Sequence, residues 1–314
     1  MKKLDIIFMG TPEFAVNILD EISKVHNVRL VVTQPDSYSH KLHKEVYSDV
    51  KVWAINHNIE VFQPEKIRND YDKIINTPCD LIVTAAYGQI VGEEVLNYPK
   101  YKCINVHGSI LPKYRGGAPI QRAIMNGDKE TGVTIMYMDK RMDAGDILRI
   151  ERIPILDSDN QGTIFKKLSE LGSSIINDVI EDLVNGNIKP IKQNEDEVIF
   201  APTIKKDEEM INFNDYAINV HNHIRGLNPN PVAFFMLDNM IVKVYNSIVS
   251  DFRHNEESGR IININKKSFD ISCKDGTTIT ILELQLPGKN RIKASEFING
   301  QGRKLIFVGK ELNK

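Results

Sequence analysis

The sequence predicts an α/β protein in two parts, and three observations carry that reading. Over residues 1–188, short apolar runs alternate with stretches of helical spacing. That is the rhythm of a mostly parallel sheet with helices on both faces. Residues 189–204 interrupt it with Pro190, Pro202 and the polar run Gln193-Asn194-Glu195-Asp196-Glu197, as a linker does. From 205 to 314, several short strand signals follow one another closely, as in a small β-barrel. The expected architecture is a Rossmann-like, mostly parallel sheet domain (1–188), a linker (189–204) and a smaller β-barrel domain (205–314).

Residues 4–9 read as a buried strand. Gly10-Thr11-Pro12-Glu13 follows, with Thr11 placed to cap a helix and Pro12 at its first position. The helix is expected to reach about residue 24. Residues 28–33 are a second strand, 46–57 a helix and 81–86 a third strand; 103–106 and 133–138 continue the pattern. Gly10 serves a tight strand-to-helix turn. Neither Gly-x-Gly-x-x-Gly nor a lysine-bearing phosphate loop follows the first strand, so a nicotinamide or nucleoside triphosphate cofactor is not expected.

Ile164, Leu168, Leu171, Ile175, Ile176, Val179 and Leu183 recur at helical spacing and predict a helix over 161–187, with Gly186 at its end. Beyond the linker the expectation is a helix over 214–226, then strands at 232–237, 241–249, 259–263, 268–273 and 277–285. Asp238-Asn239 and Lys274-Asp275-Gly276 are hairpin signals between them.

Composition sets outer limits. The 314 residues are 41% apolar and 26% charged, as in a soluble globular protein. No apolar run approaches the ~20 residues needed to span a bilayer, and Asp5 interrupts what would be a signal-peptide core. The expected compartment is the cytoplasm. Cys79, Cys103 and Cys273 are odd in number and widely spaced, which gives neither a disulfide framework nor a zinc pattern. They read as reduced, packed thiols. The histidine pairs His40/His43 and His221/His223 have no companions at metal-ligand spacing and read as structural or surface residues; no metal is expected. The net charge of −2 is uneven: residues 205–314 carry 16 basic against 13 acidic side chains, on a more acidic body. A mildly basic tail is compatible with a nucleic-acid partner.

The most informative stretch is 103–122. Asn105 and His107 lie two apart in a strand-like run, so their side chains leave the same face. Beyond them the run opens into a Gly/Pro-rich loop, Gly108 to Pro119, and open α/β sheets place ligands at such strand ends. An amide there can donate to a developing oxyanion, and an imidazole, with an unperturbed pKa of ~6.5, can shuttle protons near neutral pH. Asp143, in Met142-Asp143-Ala144-Gly145 just past another apolar run, is a third group that can converge on the same centre. No Gly-x-Ser-x-Gly is present, so attack comes from the substrate rather than from the enzyme.

These motifs resemble the signature of the 10-formyltetrahydrofolate-dependent formyltransferases: Asn105-x-His107, Ser109-Ile110-Leu111-Pro112-x-Tyr114-Arg115-Gly116, and Met142-Asp143-Ala144-Gly145. Pro119-Ile120-Gln121-Arg122 and the opening Phe8-Met9-Gly10-Thr11-Pro12-Glu13-Phe14-Ala15 are similar to the members that act on initiator methionyl-tRNA. The likeness continues through Phe62-Gln63-Pro64, Ala86-Tyr87-Gly88, Phe200-Ala201-Pro202, Ile224-Arg225-Gly226-Leu227-Asn228-Pro229 and Leu282-Glu283-Leu284-Gln285, nearly the whole chain. It implies an oligonucleotide-binding-type barrel for the C-terminal domain; a monomer is expected.

The resemblance assigns Asn105 to oxyanion stabilisation, His107 to proton handling and polarisation of the formyl group, and Asp143 to orienting His107. Which of His107 and Asp143 takes the first proton is left open. The 10-formyltetrahydrofolate co-substrate is expected against Ser109, Ile110, Leu111 and Pro112, with Tyr87, Gly88, Gln89 and Ile90 as the opposite wall. Arg115 either braces the loop through backbone carbonyls or meets substrate. Initiator methionyl-tRNA is the expected partner, gripped by Lys289, Arg291 and Lys293 in the C-terminal domain and by Lys41 and Lys44 in the 35–50 loop.

The chain departs from the family in two places. The 35–50 loop lacks the usual arginines and glycines, and Asn230 stands where tryptophan is common. Two other readings compete: a relative that formylates a small amine, and a nucleic-acid-binding protein with a dead transferase site. The β-rich C-terminal part argues against the first and the intact Asn105, His107 and Asp143 against the second.

Overall fold

A computed structural model describes residues 2–39 and 43–313. The chain divides into two compact units, each discontinuous in sequence. The first comprises Met1–Pro119, Glu130–Pro154 and Phe165–Pro202; the second comprises Ile120–Lys129, Ile155–Ile164 and Thr203–Lys314.

The first unit is built on a seven-stranded sheet. In spatial order its strands are Ile147–Pro154, Glu130–Tyr137, Cys103–His107, Leu81–Ala85, Asp5–Gly10, Asn27–Val32 and Val61–Phe62. The last five run parallel; the first two pair antiparallel, closing one edge. Leu81–Ala85 is buried along its whole length and Asp5–Gly10 over all but its first residue. Such continuous apolar runs are what a parallel sheet covered on both faces requires. After Asp5–Gly10 the chain builds to one side, then returns at Leu81–Ala85 on the other. That reversal opens a crevice at the carboxyl ends of the strands.

One face is covered by helix Glu13–Val25, which buries Phe14, Ala15, Ile18, Leu19 and Ile22. The part of helix Gln161–Val184 from Phe165 onward lies beside it. There Gly172 leaves no spare room: a Cβ on it would stand 3.0 Å from a Val106 methyl and 3.4 Å from Ile18. Ser169 Oγ donates to Phe14 O, and Asn177 Nδ2 to Glu21 O, which locks the two helices.

Several local expectations need correction. Thr11 does not cap the first helix. Pro12 occupies the N-cap, and the Thr11 hydroxyl instead donates to Tyr87 O at 3.0 Å. The helix expected from residue 46 begins at Asp49, where the Ser48 side chain accepts from Lys51 N; Lys44–Val46 is extended and pairs with Ser37–Ser39. Ile147–Pro154 adds an edge strand beyond the expected ones.

The second unit carries a curled antiparallel half-barrel, in the order Phe234–Leu237, Met240–Ser250, Thr278–Gln285, Phe269–Ser272 and Ile261–Ile264, with Ile292–Lys293 also on Thr278–Gln285. Its core includes Phe213, Phe235, Phe269 and Phe297, with helix Ala217–Gly226 supplying Val220 and Ile224. Both hairpin signals turn in the left-handed region: Asp238 at φ 53°, Asp275 at 52° and Gly276 at 71°. The inserted segments are tied in by polar contacts. Arg122 pairs with Glu208 at 2.6 Å, and buried Arg225 donates to the carbonyls of Leu156 and Asp159 at 3.0 Å each.

Candidate active site

Strand Cys103–His107 positions the first two groups. Thr84 pairs with Asn105 across the parallel ladder, and His107 with Thr134 across the antiparallel one. The Thr84 hydroxyl meets Asn105 Oδ1 at 2.8 Å. That contact commits the amide's only acceptor atom and leaves Nδ2, a donor, for the crevice. Cys103, two residues earlier, is buried; its thiol lies 3.5 Å from Val95 O, and burial pushes its pKa well up. It belongs to the core. Cys79 and Cys273 are likewise pushed up to about 12, mainly by burial.

His107 is 7% exposed. Its Nε2 lies 3.0 Å from Tyr114 O. A carbonyl only accepts, so Nε2 bears the proton and Nδ1 is the bare nitrogen of the neutral ring. Nδ1 faces Asp143, with Oδ2 at 3.8 Å. The same Oδ2 accepts from Gly116 N at 2.9 Å. Residues 114–116 therefore hold both partners, the histidine by a carbonyl and the aspartate by an amide. The backbone is bent for this. Tyr114 and Asp143 sit at φ 66° and 51°, left-handed values that L side chains resist. Gly116 sits at φ 127°, where a Cβ would come 2.6 Å from Ala201 O.

Arg115, between those two contacts, is 3% exposed and braces the loop, through side chains rather than the expected carbonyls. Its Nε donates to Gln193 Oε1 at 3.0 Å, and its two Nη atoms reach the Glu195 carboxylate at 3.2 Å each. That guanidinium holds the Glu195 carboxyl below its usual pKa range. Residues 193–201 thus serve the site: Ile199–Phe200 pairs in parallel with Lys113–Arg115, and Ala201 N donates to Arg115 O. Sequence reasoning missed Thr84, Gln193 and Glu195. No local motif marks them, because each acts on a partner distant in sequence.

The two expected folate-binding segments leave the carboxyl ends of adjacent parallel strands, Leu81–Ala85 and Cys103–His107. Their side chains divide into struts and surface. Ser109 Oγ donates to Lys113 O, and Thr134 Oγ1 donates to Ser109 O and accepts from Leu111 N. Leu111 is buried against Met136 and Ile147. The Tyr87 ring is buried in the core, and Gln89 bridges Ile67 N to Gln34 and Pro64. Ile90 and Gly88 are exposed, and Ile110 and Pro112 half-buried. Of the eight expected folate contacts, Ile90 and Gly88 are thus the most accessible, and Ser109, Leu111 and Tyr87 are buried.

Of the expected tRNA contacts, Lys41 lies outside the described residues, as does His40. Lys44 is exposed on Lys44–Val46. Lys289 and Lys293 are exposed in the second unit; Arg291 is ion-paired with Glu283 and lies 4.6 Å over the Tyr245 ring. His221 and His223 are held by Ser247 and the Glu208 carbonyl, and burial lowers both pKa values. Among the described residues, no group of three or more His, Cys, Asp or Glu side chains is arranged to hold a metal.

Residues 2–180 match the family described as Formyl transferase, and residues 203–302 match Formyl transferase, C-terminal domain. A methionyl-tRNA formyltransferase of Pediococcus pentosaceus is 43% identical over 311 residues, 98% of this chain and 97% of its own. Those of Bacillus cereus and Lactobacillus acidophilus are 44% and 42% identical, covering 95% and 98% of this chain and 96% and 98% of theirs. Among solved structures, a sugar 3N-formyl transferase with dTDP and 5-N-formyl-THF superposes with a TM-score of 0.68 at 23% identity, over 92% of this chain and all of its own. An N-formyltransferase of Helicobacter canadensis with folinic acid and dTDP-3-aminofucose gives 0.67 at 22%, over 88% and 98%. At that identity the two structures speak to the fold alone.

Proposed function

The chain belongs to the formyl transferase family, and we propose that it transfers the formyl group of 10-formyltetrahydrofolate to the free amino group of initiator methionyl-tRNA, giving N-formylmethionyl-tRNA for translation initiation. Relatives at 42–44% identity over nearly the full length carry that activity in their names, whereas the sugar-acting proteins are similar at 22–23%. This favours a tRNA acceptor over a small amine. We place the reaction in the cytoplasm, carried out by a monomer; among the described residues no helix is long and apolar enough to cross a membrane.

The observation that carries the mechanism is the commitment of His107 Nε2–H to Tyr114 O, which leaves Nδ1 basic and beside Asp143. The folate supplies an activated formyl group on nitrogen. The amino nitrogen attacks the formyl carbon, and the carbonyl oxygen gains charge. Asn105 Nδ2, turned outward by Thr84, donates to that oxygen, a contact worth roughly 2.7–4 kcal/mol in a preorganised site. His107 Nδ1 takes the amine's proton, and Asp143 stabilises the imidazolium that results. The proton passes to the leaving folate nitrogen as its bond to the formyl carbon breaks and the carbonyl re-forms.

Incubation with charged initiator methionyl-tRNA and 10-formyltetrahydrofolate should yield formylmethionine. A 3-amino sugar nucleotide offered in its place should not be formylated. Formylation of the sugar with none on the tRNA would overturn the reading.

A further inference from the structure

We propose that Gln193 is the positioning residue for Asp143, an inference that rests on the catalytic reading of Asp143 given above. Gln193 is 5% exposed and lies two residues past Ile191, which bridges to Ile147 through bonds of 2.8 and 2.9 Å. Its amide is fully engaged. Nε2 donates to the main-chain carbonyls of Asp143 and Gly145, at 2.8 Å each, and Oε1 accepts from Arg115 Nε at 3.0 Å. Those partners fix the amide's orientation, since carbonyls only accept and a guanidinium only donates.

The two carbonyls flank the turn that presents the Asp143 side chain. That turn is demanding: Asp143 is left-handed at φ 51°, and a Cβ on Gly145 would lie 1.9 Å from Tyr137 O. Such a conformation persists only where its surroundings over-determine it. Gln193 grips the turn from behind by two bonds, while Gly116 N–H holds the carboxylate in front at 2.9 Å. Gln193 is itself held by Arg115, which Glu195 anchors at both Nη atoms. The line Glu195–Arg115–Gln193–Asp143 therefore sets where the carboxylate stands relative to His107 Nδ1, now 3.8 Å away. Without Gln193 the turn is free to relax, and a displacement near 1 Å at a reacting group costs about 100-fold in rate.

The test compares Gln193→Met, which keeps the volume and removes every polar contact, with wild type, Asp143→Ala and the double variant. Gln193→Met should lower kcat about 10- to 100-fold, with KM for tRNA and for 10-formyltetrahydrofolate within about twofold and an unchanged far-UV spectrum. In the Asp143→Ala background the same substitution should change kcat little, because its target is gone. If Gln193→Met does not fold, Gln193→Asn, which keeps the amide but cannot span both partners, takes its place with the same expected kinetics. Near-normal kcat, a loss confined to KM, or a full additional loss on top of Asp143→Ala overturns the inference. Near-normal turnover in Asp143→Ala itself overturns the catalytic reading instead, so the two failures are distinguishable.

Discussion

The Nε2–H of His107 donates to the main-chain carbonyl of Tyr114 over 3.0 Å, and this bond decides which face of the imidazole is basic. The nitrogen left bare is the one 3.8 Å from Asp143. The acceptor is main chain, in a loop braced by Arg115, so the tautomer is set by how the loop is folded.

His107→Gln should retain a donor for that carbonyl and lose the basic nitrogen. We expect kcat to fall by about 10²–10⁴, with folate affinity and thermal midpoint close to wild type. Single-turnover formylation under saturating tRNA is the measurement. Turnover within about tenfold of wild type in folded protein would remove His107 from proton transfer.

Thr84→Val removes the partner of Asn105 Oδ1 while keeping the shape of the side chain. The amide is then free to turn its oxygen toward the crevice, where it repels an oxyanion. The expected result is a kcat reduced about tenfold and restored by Thr84→Ser, against a loss of about 10²–10³ for Asn105→Ala. Equal kinetics for the Val and Ser variants would show that Thr84 does not orient the amide.

Gly116→Ala puts a methyl group 2.6 Å from Ala201 O at φ 127°. The backbone must move, taking with it the N–H that holds Asp143. A stability loss of about 1–3 kcal/mol should appear in urea denaturation together with a large fall in kcat. Wild-type stability in this variant would contradict the loop geometry.

The Glu208–Arg122 ion pair should tie a small part of the second unit's stability to pH. The Arg122 side chain, and after it the Lys205 backbone, hold the Glu208 pKa at about 2, down from 4.5. A carboxyl whose folded pKa is depressed stabilises fully above its unfolded value and loses that contribution as pH falls from 4.5 towards about 2. Glu208 is partly exposed, so screening reduces the contribution to about 1 kcal/mol. Arg122→Met should be less stable than wild type at pH 6, with the difference shrinking at pH 3. A difference that stays constant between those conditions would rule out this linkage.

Binding to tRNA phosphates releases counterions, so affinity should fall with salt at about −0.9 per phosphate neutralised on duplex. Lys289→Glu with Lys293→Glu should raise KM for tRNA, flatten that salt slope and spare kcat. Arg291, already paired with Glu283 and stacked on Tyr245, should contribute less than either lysine. Reversal at Lys44 should affect kcat too if the 35–50 loop positions the methionyl amine. Unchanged tRNA kinetics at low salt in all of these would remove the electrostatic grip from these positions.

Burial patterns were legible residue by residue. The runs expected at 4–9, 81–86 and 103–106 fold as the strands Asp5–Gly10, Leu81–Ala85 and Cys103–His107 because continuous apolar segments must be covered on both faces, and the hairpin residues Asp238 and Asp275 adopt the left-handed turns their chemistry allows. The two-residue spacing of Asn105 and His107 sufficed to put them on one face. The strand Ile147–Pro154 also left a trace, since Leu148-Arg149-Ile150-Glu151 alternates as a half-buried strand does. None of this depends on more than a few neighbouring positions. The supports of the site do. Thr84 and Asn105 meet because two strands 21 residues apart pair in one register, and Arg115 finds Gln193 across 78 residues. The second unit recruits Ile120–Lys129 and Ile155–Ile164 from between segments of the first unit. Periodicity reports which side of an element is buried; hydrogen bonds between distant polar groups depend on strand register and loop return. A one-residue slip in either would separate the same side chains.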